Sequence, residues 1–240
     1  MKRKEIEEFW SDQRNSGQPV SDDDWLLRKA EEHVLFMHPD DRDGPIIDFA
    51  CGSGELLTQF AKCAGVVAGM DFSASMLFEA RRRLGDAQVK LIEGDGFNYS
   101  REAVEPVWTT CSGMNQYLSP KELLLWIESF IANPHARSLY LFDCVDPIRR
   151  RWLSAKSAYR EGDHRHVSTK RRAASRIKST VRNVTHDGWA NLGSAEMGYG
   201  YTPSFFRKRA AYGDVYMEFV SSRYFEYRFH VALRKRSLDL

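Results

Sequence analysis

The chain has 240 residues and a formal net charge of +2, from 35 basic and 33 acidic side chains. That length supports one α/β core with an insertion and is short for two domains, and the near-neutral balance excludes a global attraction to nucleic acid. No apolar run is long enough to span a bilayer, and the first residues lack the apolar stretch of a secretory signal. The four cysteines, Cys51, Cys63, Cys111 and Cys144, form neither a CxxC pair nor a zinc pattern. A cytoplasmic protein with reduced thiols is expected.

Residues 1–44 are polar and read as helical, with Ser21 and Asp22–Asp24 suited to a helix start. This helix is expected to stop at His38-Pro39. Ile46–Ala50 is a short apolar run of the kind buried on both faces of a sheet. A glycine turn follows, then a helix from Glu55 to about Cys63. Val66–Met70 reads as the second strand, and Ala74–Leu84 as a helix with arginines in its last turn. Val89–Ile92, Val107–Cys111 and Ser138–Cys144 are the next strands, with an amphipathic helix over Pro120–Ile131 between the last two. Strands alternating with helices imply parallel pairing through right-handed crossovers.

Residues 147–200 break this rhythm. They are basic and polar, and show no clear strand. A further helix opens at Pro203 with Thr202 as its cap. Val215–Ser221 and Tyr224–Arg234 alternate and read as an antiparallel pair joined at Ser222-Arg223. The expected fold is a Rossmann-like, mostly parallel seven-stranded sheet with helices on both faces and an antiparallel C-terminal strand. It is read as one domain over 1–240, with an N-terminal helical segment 1–44 and an insertion at 147–200.

The chemistry centres on Asp48-Phe49-Ala50-Cys51-Gly52-Ser53-Gly54-Glu55. Gly52 and Gly54 permit a tight turn and a close approach of ligand to backbone. Asp71 ends the second strand, where an acid can accept both ribose hydroxyls of an adenosine ligand. Asp95, within Glu93-Gly94-Asp95-Gly96, follows the third strand and is placed to accept from an adenine amino group. Acids at strand ends on one edge of a parallel sheet lie where such sheets bind ligands. A dinucleotide is the poorer fit. Its third glycine is replaced by Leu57, and Glu55 beside the turn would repel a pyrophosphate. S-adenosylmethionine (SAM) carries no phosphate and tolerates such acids.

Ile47–Gly54 resembles the first motif of the class I SAM-dependent methyltransferases. Gly69–Leu77 resembles their second motif, Glu93–Gly96 their third, and Ser112–Leu118 the segment after their fourth strand. The resemblance covers roughly residues 45–145 and implies SAM as methyl donor, with S-adenosylhomocysteine (SAH) as product. It implies that Gly52 and Gly54 flank the methionine moiety, with Asp48, Ala50 and Ser112 among the residues that bind the cofactor. Asp71 would hold the ribose and Asp95 the adenine, with Gly94 and Gly96 also at the cofactor. Phe72, Met76 and Phe97 would cover the base. The fourth strand ends Thr109-Thr110-Cys111-Ser112, without the acid that magnesium-dependent relatives place near there, so no metal is expected. The N/D-P-P-Y/F signature of many amino-group nucleic-acid methyltransferases and the CxxxCxxC of radical enzymes are absent.

Methyl transfer from an activated donor needs alignment and exclusion of water, and a hydroxyl acceptor also needs a base. Asp143, Asp146, Tyr117 and His166 are the candidate bases; His164 and His186 are further histidines of the insertion. Residues 147–182 concentrate positive charge, and Arg149, Arg150 and Arg171 are candidate contacts to a small anionic acceptor. The insertion is expected to cap the carboxyl edge of the sheet. The same basic segment leaves an RNA methyltransferase as the alternative, and a non-catalytic SAM-binding module as a third reading.

Overall fold

The computed structural model describes residues 23–63, 66–94, 107–160, 184, 187–192, 198–210 and 215–235. In chain order the elements are α1 (Asp23–Phe36), α2 (Pro39–Arg42), β1 (Ile46–Phe49), α3 (Glu55–Cys63), β2 (Val66–Asp71), α4 (Ala74–Leu84) and β3 (Lys90–Glu93). Then follow β4 (Val107–Ser112), a 3₁₀ turn (Met114–Tyr117), α5 (Pro120–Ala132), β5 (Ala136–Val145) and α6 (Pro147–Arg160). The chain closes with β6 (Trp189–Asn191), β7 (Tyr199–Tyr201), α7 (Pro203–Ala210), β8 (Val215–Ser221) and β9 (Arg228–Lys235).

Seven strands form one sheet in the order β3-β2-β1-β4-β5-β9-β8. The first five are parallel, and β9 and β8 are antiparallel. This is the expected Rossmann-like sheet. The strand order reverses between β1 and β4, which opens a crevice at their carboxyl ends. β1 is buried at every position, because helices cover both faces. On one face Leu26 and Ala30 of α1 and Leu57 and Phe60 of α3 pack on Tyr140 and Phe142. On the other, Leu123, Trp126 and Phe130 of α5 and Phe205 and Phe206 of α7 pack on Phe49, Leu141 and Val231.

Local chemistry explains the helix starts. Ser119 and Glu122 form a reciprocal capping box with Pro120 in the first turn of α5. Ser73 accepts from the Met76 N–H at the start of α4, and Arg81, Arg82 and Arg83 occupy its last turn. The opposite end of the sheet is tied together by Asp41. It accepts from Trp108 Nε1 at 2.7 Å, Ser138 Oγ at 2.6 Å, Tyr140 Oη at 2.5 Å and Arg234 Nε at 3.1 Å.

One sequence expectation is extended and two are corrected. His38-Pro39 ends α1 but also starts α2, with His38 as its cap and Pro39 in the first turn. The second C-terminal strand begins at Arg228, not Tyr224. Ser222 Oγ accepts from the N–H groups of Tyr224 and Phe225, and its own N–H reaches Arg228 O, so the chain turns before pairing. Finally, residues 147–200 do contain strands. β6 and β7 pair as an antiparallel hairpin, each strand three residues long and too short for a periodic signal.

Candidate functional site

The site is the carboxyl edge of β1, β2, β4 and β5. After β1 the backbone enters the left-handed region at Ala50 (φ 53°), Gly52 (φ 56°) and Gly54 (φ 79°). Gly54 also lacks room for a side chain, because a Cβ would lie 3.0 Å from that of Ala80 on α4. The Cys51 N–H is tied to Met70 O at 3.1 Å. Asp71 completes the turn: its Oδ2 accepts from Gly52 N at 3.0 Å and its Oδ1 from Ser73 N at 2.9 Å. Two backbone donors leave each oxygen a further acceptor position, so the buried carboxylate can both hold the turn and accept from a ligand. Burial raises its pKa, and backbone N–H groups of Ser73, Gly52 and Phe72 oppose the rise.

Asp48 lies buried at the end of β1 and accepts from Thr110 Oγ1 at 2.8 Å. Burial pushes its carboxyl up to about 7, with the nearby Asp71 adding to the rise and Thr110 and Lys29 opposing it. Glu55 does not act as the sequence suggests. Ser53 Oγ donates to it at 2.6 Å and Arg83 reaches it at 3.4 Å. Its charge is therefore compensated, and repulsion of a pyrophosphate is not the discriminating argument. Phe72 is 40% exposed beside the β2 exit, whereas Met76 is buried beneath it. Gly94 follows β3, facing the sulfur of Met70. Asp95, Gly96 and Phe97 lie outside the described residues, as do His164, His166, His186 and Arg171.

At the β4 exit, Ser112 Oγ points to Asp143 Oδ2 at 3.4 Å. The 3₁₀ turn beyond it is anchored by Asn115 Nδ2, which donates to Phe142 O at 2.8 Å. The side-chain oxygens of Asn115 and Gln116 are buried without a hydrogen-bond partner among the described residues. The ammonium of an amino-acid ligand could donate to such acceptors. The hairpin β6–β7 seats against this turn: Tyr201 Oη donates to Leu118 O, and a Cβ on Gly198 would collide with Gln116 O. Tyr117 closes the turn, half-buried.

Asp143 and Asp146, both candidate bases, are engaged. Asp143 sits in the left-handed region (φ 57°) and is fully buried. Lys29 Nζ lies 2.6 Å from its Oδ2, with His33 Nε2 at 3.8 Å and Arg228 at 4.0 Å. Its own N–H donates to His230 Nδ1 at 3.2 Å, and His230 Nε2 faces Glu32 at 3.4 Å. Burial acts to raise the Asp143 pKa, but Lys29 and Arg228 together hold it well below the carboxylate range. Burial drives the His33 imidazole well down, so it is neutral, stacked on Phe142 at 4.1 Å. Asp146 caps α6 by accepting from Ile148 N at 2.8 Å and Arg149 N at 3.1 Å. Arg149 reaches Ser221 Oγ at 2.8 Å, and Arg150 is half-buried behind it.

His33, Asp143 and His230 present ligand atoms within 4.8 Å of one another, a spacing a metal ion could bridge. The donor set does not fit one. Lys29 already supplies the cation at Asp143, and Arg228 adds a second, so a dication would enter a site whose charge is balanced.

Lys29, Glu32, His33, Arg228 and His230 were not singled out in the sequence. A signal exists for two of them. Leu26, Ala30 and Val34 form the buried stripe of α1, and Lys29 and His33 interrupt it at adjacent positions.

Residues 46–131 match the family model described as "Methyltransferase domain". A search of curated protein sequences finds no significant relative. Among solved structures, magnesium protoporphyrin IX methyltransferase from Synechocystis with bound SAH has a TM-score of 0.56 at 15% identity, over 96% of this chain and 94% of that one. DhpI, in a complex with SAM and HEP, has a TM-score of 0.59 at 13% identity over 96% of each chain. The small RNA methyltransferase HEN1 has a TM-score of 0.58 at 14% identity, over 90% of this chain and 26% of that one. At such identities the likenesses establish the fold that this chain shares with them.

Proposed function

We propose that this chain, a SAM-dependent methyltransferase of the class I type by its matched domain and fold, methylates an oxygen or nitrogen of a small anionic acceptor without a metal ion. The observation that carries the acceptor class is the placement of Arg149 and Arg150 in the first turn of α6, directly beyond the β5 exit. Guanidinium forks there present paired donors to a phosphate or carboxylate.

When bound, SAM supplies an activated methyl group on a sulfonium. The chain's own residues then have three tasks. The turn at Ala50–Gly54 brings backbone close to the methionine moiety, with Asp48 and the amide oxygens of Asn115 and Gln116, unpartnered among the described residues, as acceptors for its ammonium. Asp71 accepts from the ribose, and Phe72 and Met76 line the side toward the base. The hairpin β6–β7 backs the 3₁₀ turn and helps exclude water from the acceptor side, so that acceptor and methyl meet in line. Lys29 and Arg228 hold the charge of Asp143 and Asp146 caps α6, and proton removal is assigned to Tyr117 or to a residue of the insertion such as His166.

Dense positive charge over 147–182 and the fold shared with HEN1 favour RNA as the second reading. SAH release from SAM, followed with phosphorylated, carboxylated and neutral small acceptors and with short RNA, separates the two. Turnover is expected on an anionic small acceptor with shallow salt dependence. Turnover confined to RNA, falling steeply with salt, would replace the first reading by the second.

A further inference from the structure

Arg228 opens β9, in register with Val145 at the end of β5. It therefore stands at the same exit as α6. Its neighbour Tyr227 accepts, through its carbonyl, the Asp146 N–H at 2.8 Å, and one turn later Arg150 N–H reaches Asp146 O at 3.0 Å. Arg150 and Arg228 thus flank one junction, and their positive charges act on each other. The side chain of Arg228 is 17% exposed, and its Nε is buried without a hydrogen-bond partner among the described residues. Its nearest described carboxylate oxygen, Asp143 Oδ2 at 4.0 Å, already holds Lys29 at 2.6 Å. The rings of Phe225 and Tyr227 lie 4.6 and 5.7 Å from the guanidinium carbon and hold the fork in place.

Two guanidinium groups at one junction repel each other, and a buried N–H without an acceptor is costly. An oxyanion between them would relieve both. We propose that Arg228 and Arg150 form the oxyanion-binding subsite of the acceptor pocket, taking the phosphate or carboxylate group of the acceptor. This deepens the reading of an anionic acceptor and rests on it. Arg228 is the specificity-determining residue, because its planar fork is fixed by the aromatic walls before ligand arrives.

The test uses the full chain with SAH bound, titrated with inorganic phosphate or with acetate against chloride at constant ionic strength, and read by melting temperature and calorimetry. Phosphate or acetate is expected to raise the melting temperature saturably, and whichever is the stronger identifies the acceptor's group. Arg228→Gln and Arg150→Gln should each weaken that binding tenfold or more. Arg228→Lys, which keeps the charge and loses the fork, should also weaken it. Arg82→Gln, an exposed charge on α4, should leave it unchanged. SAH affinity should be unaltered in all four. If Arg228→Gln fails to fold, Arg228→Lys and Arg150→Gln decide the matter. No saturable effect of either anion, or equal binding in the Arg150 and Arg228 variants, would overturn the proposal. Failure of the unaltered chain to bind SAH would instead overturn the assignment of the methyl donor, on which the subsite depends.

Discussion

Lys29 Nζ lies 2.6 Å from the Asp143 carboxylate, and both side chains are buried. This pair joins the N-terminal helix to the exit of β5, at the edge where methyl donor and acceptor are proposed to meet. Removing one partner would leave a buried charge, which typically costs about 3–5 kcal/mol. Lys29→Met should therefore lower stability by that order, moderated by Arg228. The double variant Lys29→Met/Asp143→Leu should recover much of the loss. Urea unfolding measures both. A single-variant cost below about 1 kcal/mol would mean that the pair behaves as an exposed one.

Asp48 makes stability depend on pH. Burial raises its folded pKa to about 7, while the unfolded value is near ~4. Between these values the folded chain keeps a proton that the unfolded chain has lost. Asp48 therefore lowers stability as pH rises through that window, by up to about 1.4 kcal/mol per unit. Asp48→Asn retains an acceptor for Thr110 and should remove this slope. Its advantage over the unaltered chain should be small at pH 5 and larger at pH 8 in urea unfolding. A difference independent of pH would show Asp48 ionised throughout.

Asp71 has a double task, since it holds the N–H groups of Gly52 and Ser73 and is proposed to accept from the ribose. Asp71→Ala should weaken SAM and SAH by roughly 2–3 kcal/mol through loss of charged hydrogen bonds. Calorimetry reads the affinity and thermal melting reads the turn. In the unaltered chain, SAH should raise the melting temperature and NAD should not. Lower stability with unchanged SAH affinity would confine Asp71 to holding the turn.

Gly198 tests the seat of the hairpin. It has φ +57°, and a Cβ would lie 2.0 Å from the Gln116 carbonyl oxygen. Gly198→Val should push β7 off the 3₁₀ turn, lowering stability and turnover together. Retained turnover with a retained melting temperature would show that the hairpin does not support the site.

Metal independence is expected from the partners of the acids at this edge. Asp48 has Thr110, Asp143 has Lys29, and Asp146 has the first N–H groups of α6. Turnover should survive EDTA. Complete loss, restored by magnesium, would reverse this reading.

The sequence alone determined the parallel sheet, the glycine turn and the acid at the end of β2. Each is a local pattern: apolar runs of strand length, glycines where φ turns positive, and a carboxylate one strand later. The chemistry of the β5 exit was not legible in the same way. Asp143 reads as an available base until Lys29, 114 positions earlier, and Arg228 and His230 on an antiparallel strand are brought around it. Glu55 likewise reads as a repulsive charge until Arg83 of the next helix reaches it. The hairpin β6–β7 and the turn over 222–227 escaped because strands of three residues and a serine-bridged turn leave no period to count. A side chain's ionisation and availability depend on burial and on charges distant in sequence. Only the tertiary structure decides which of these neighbours meet.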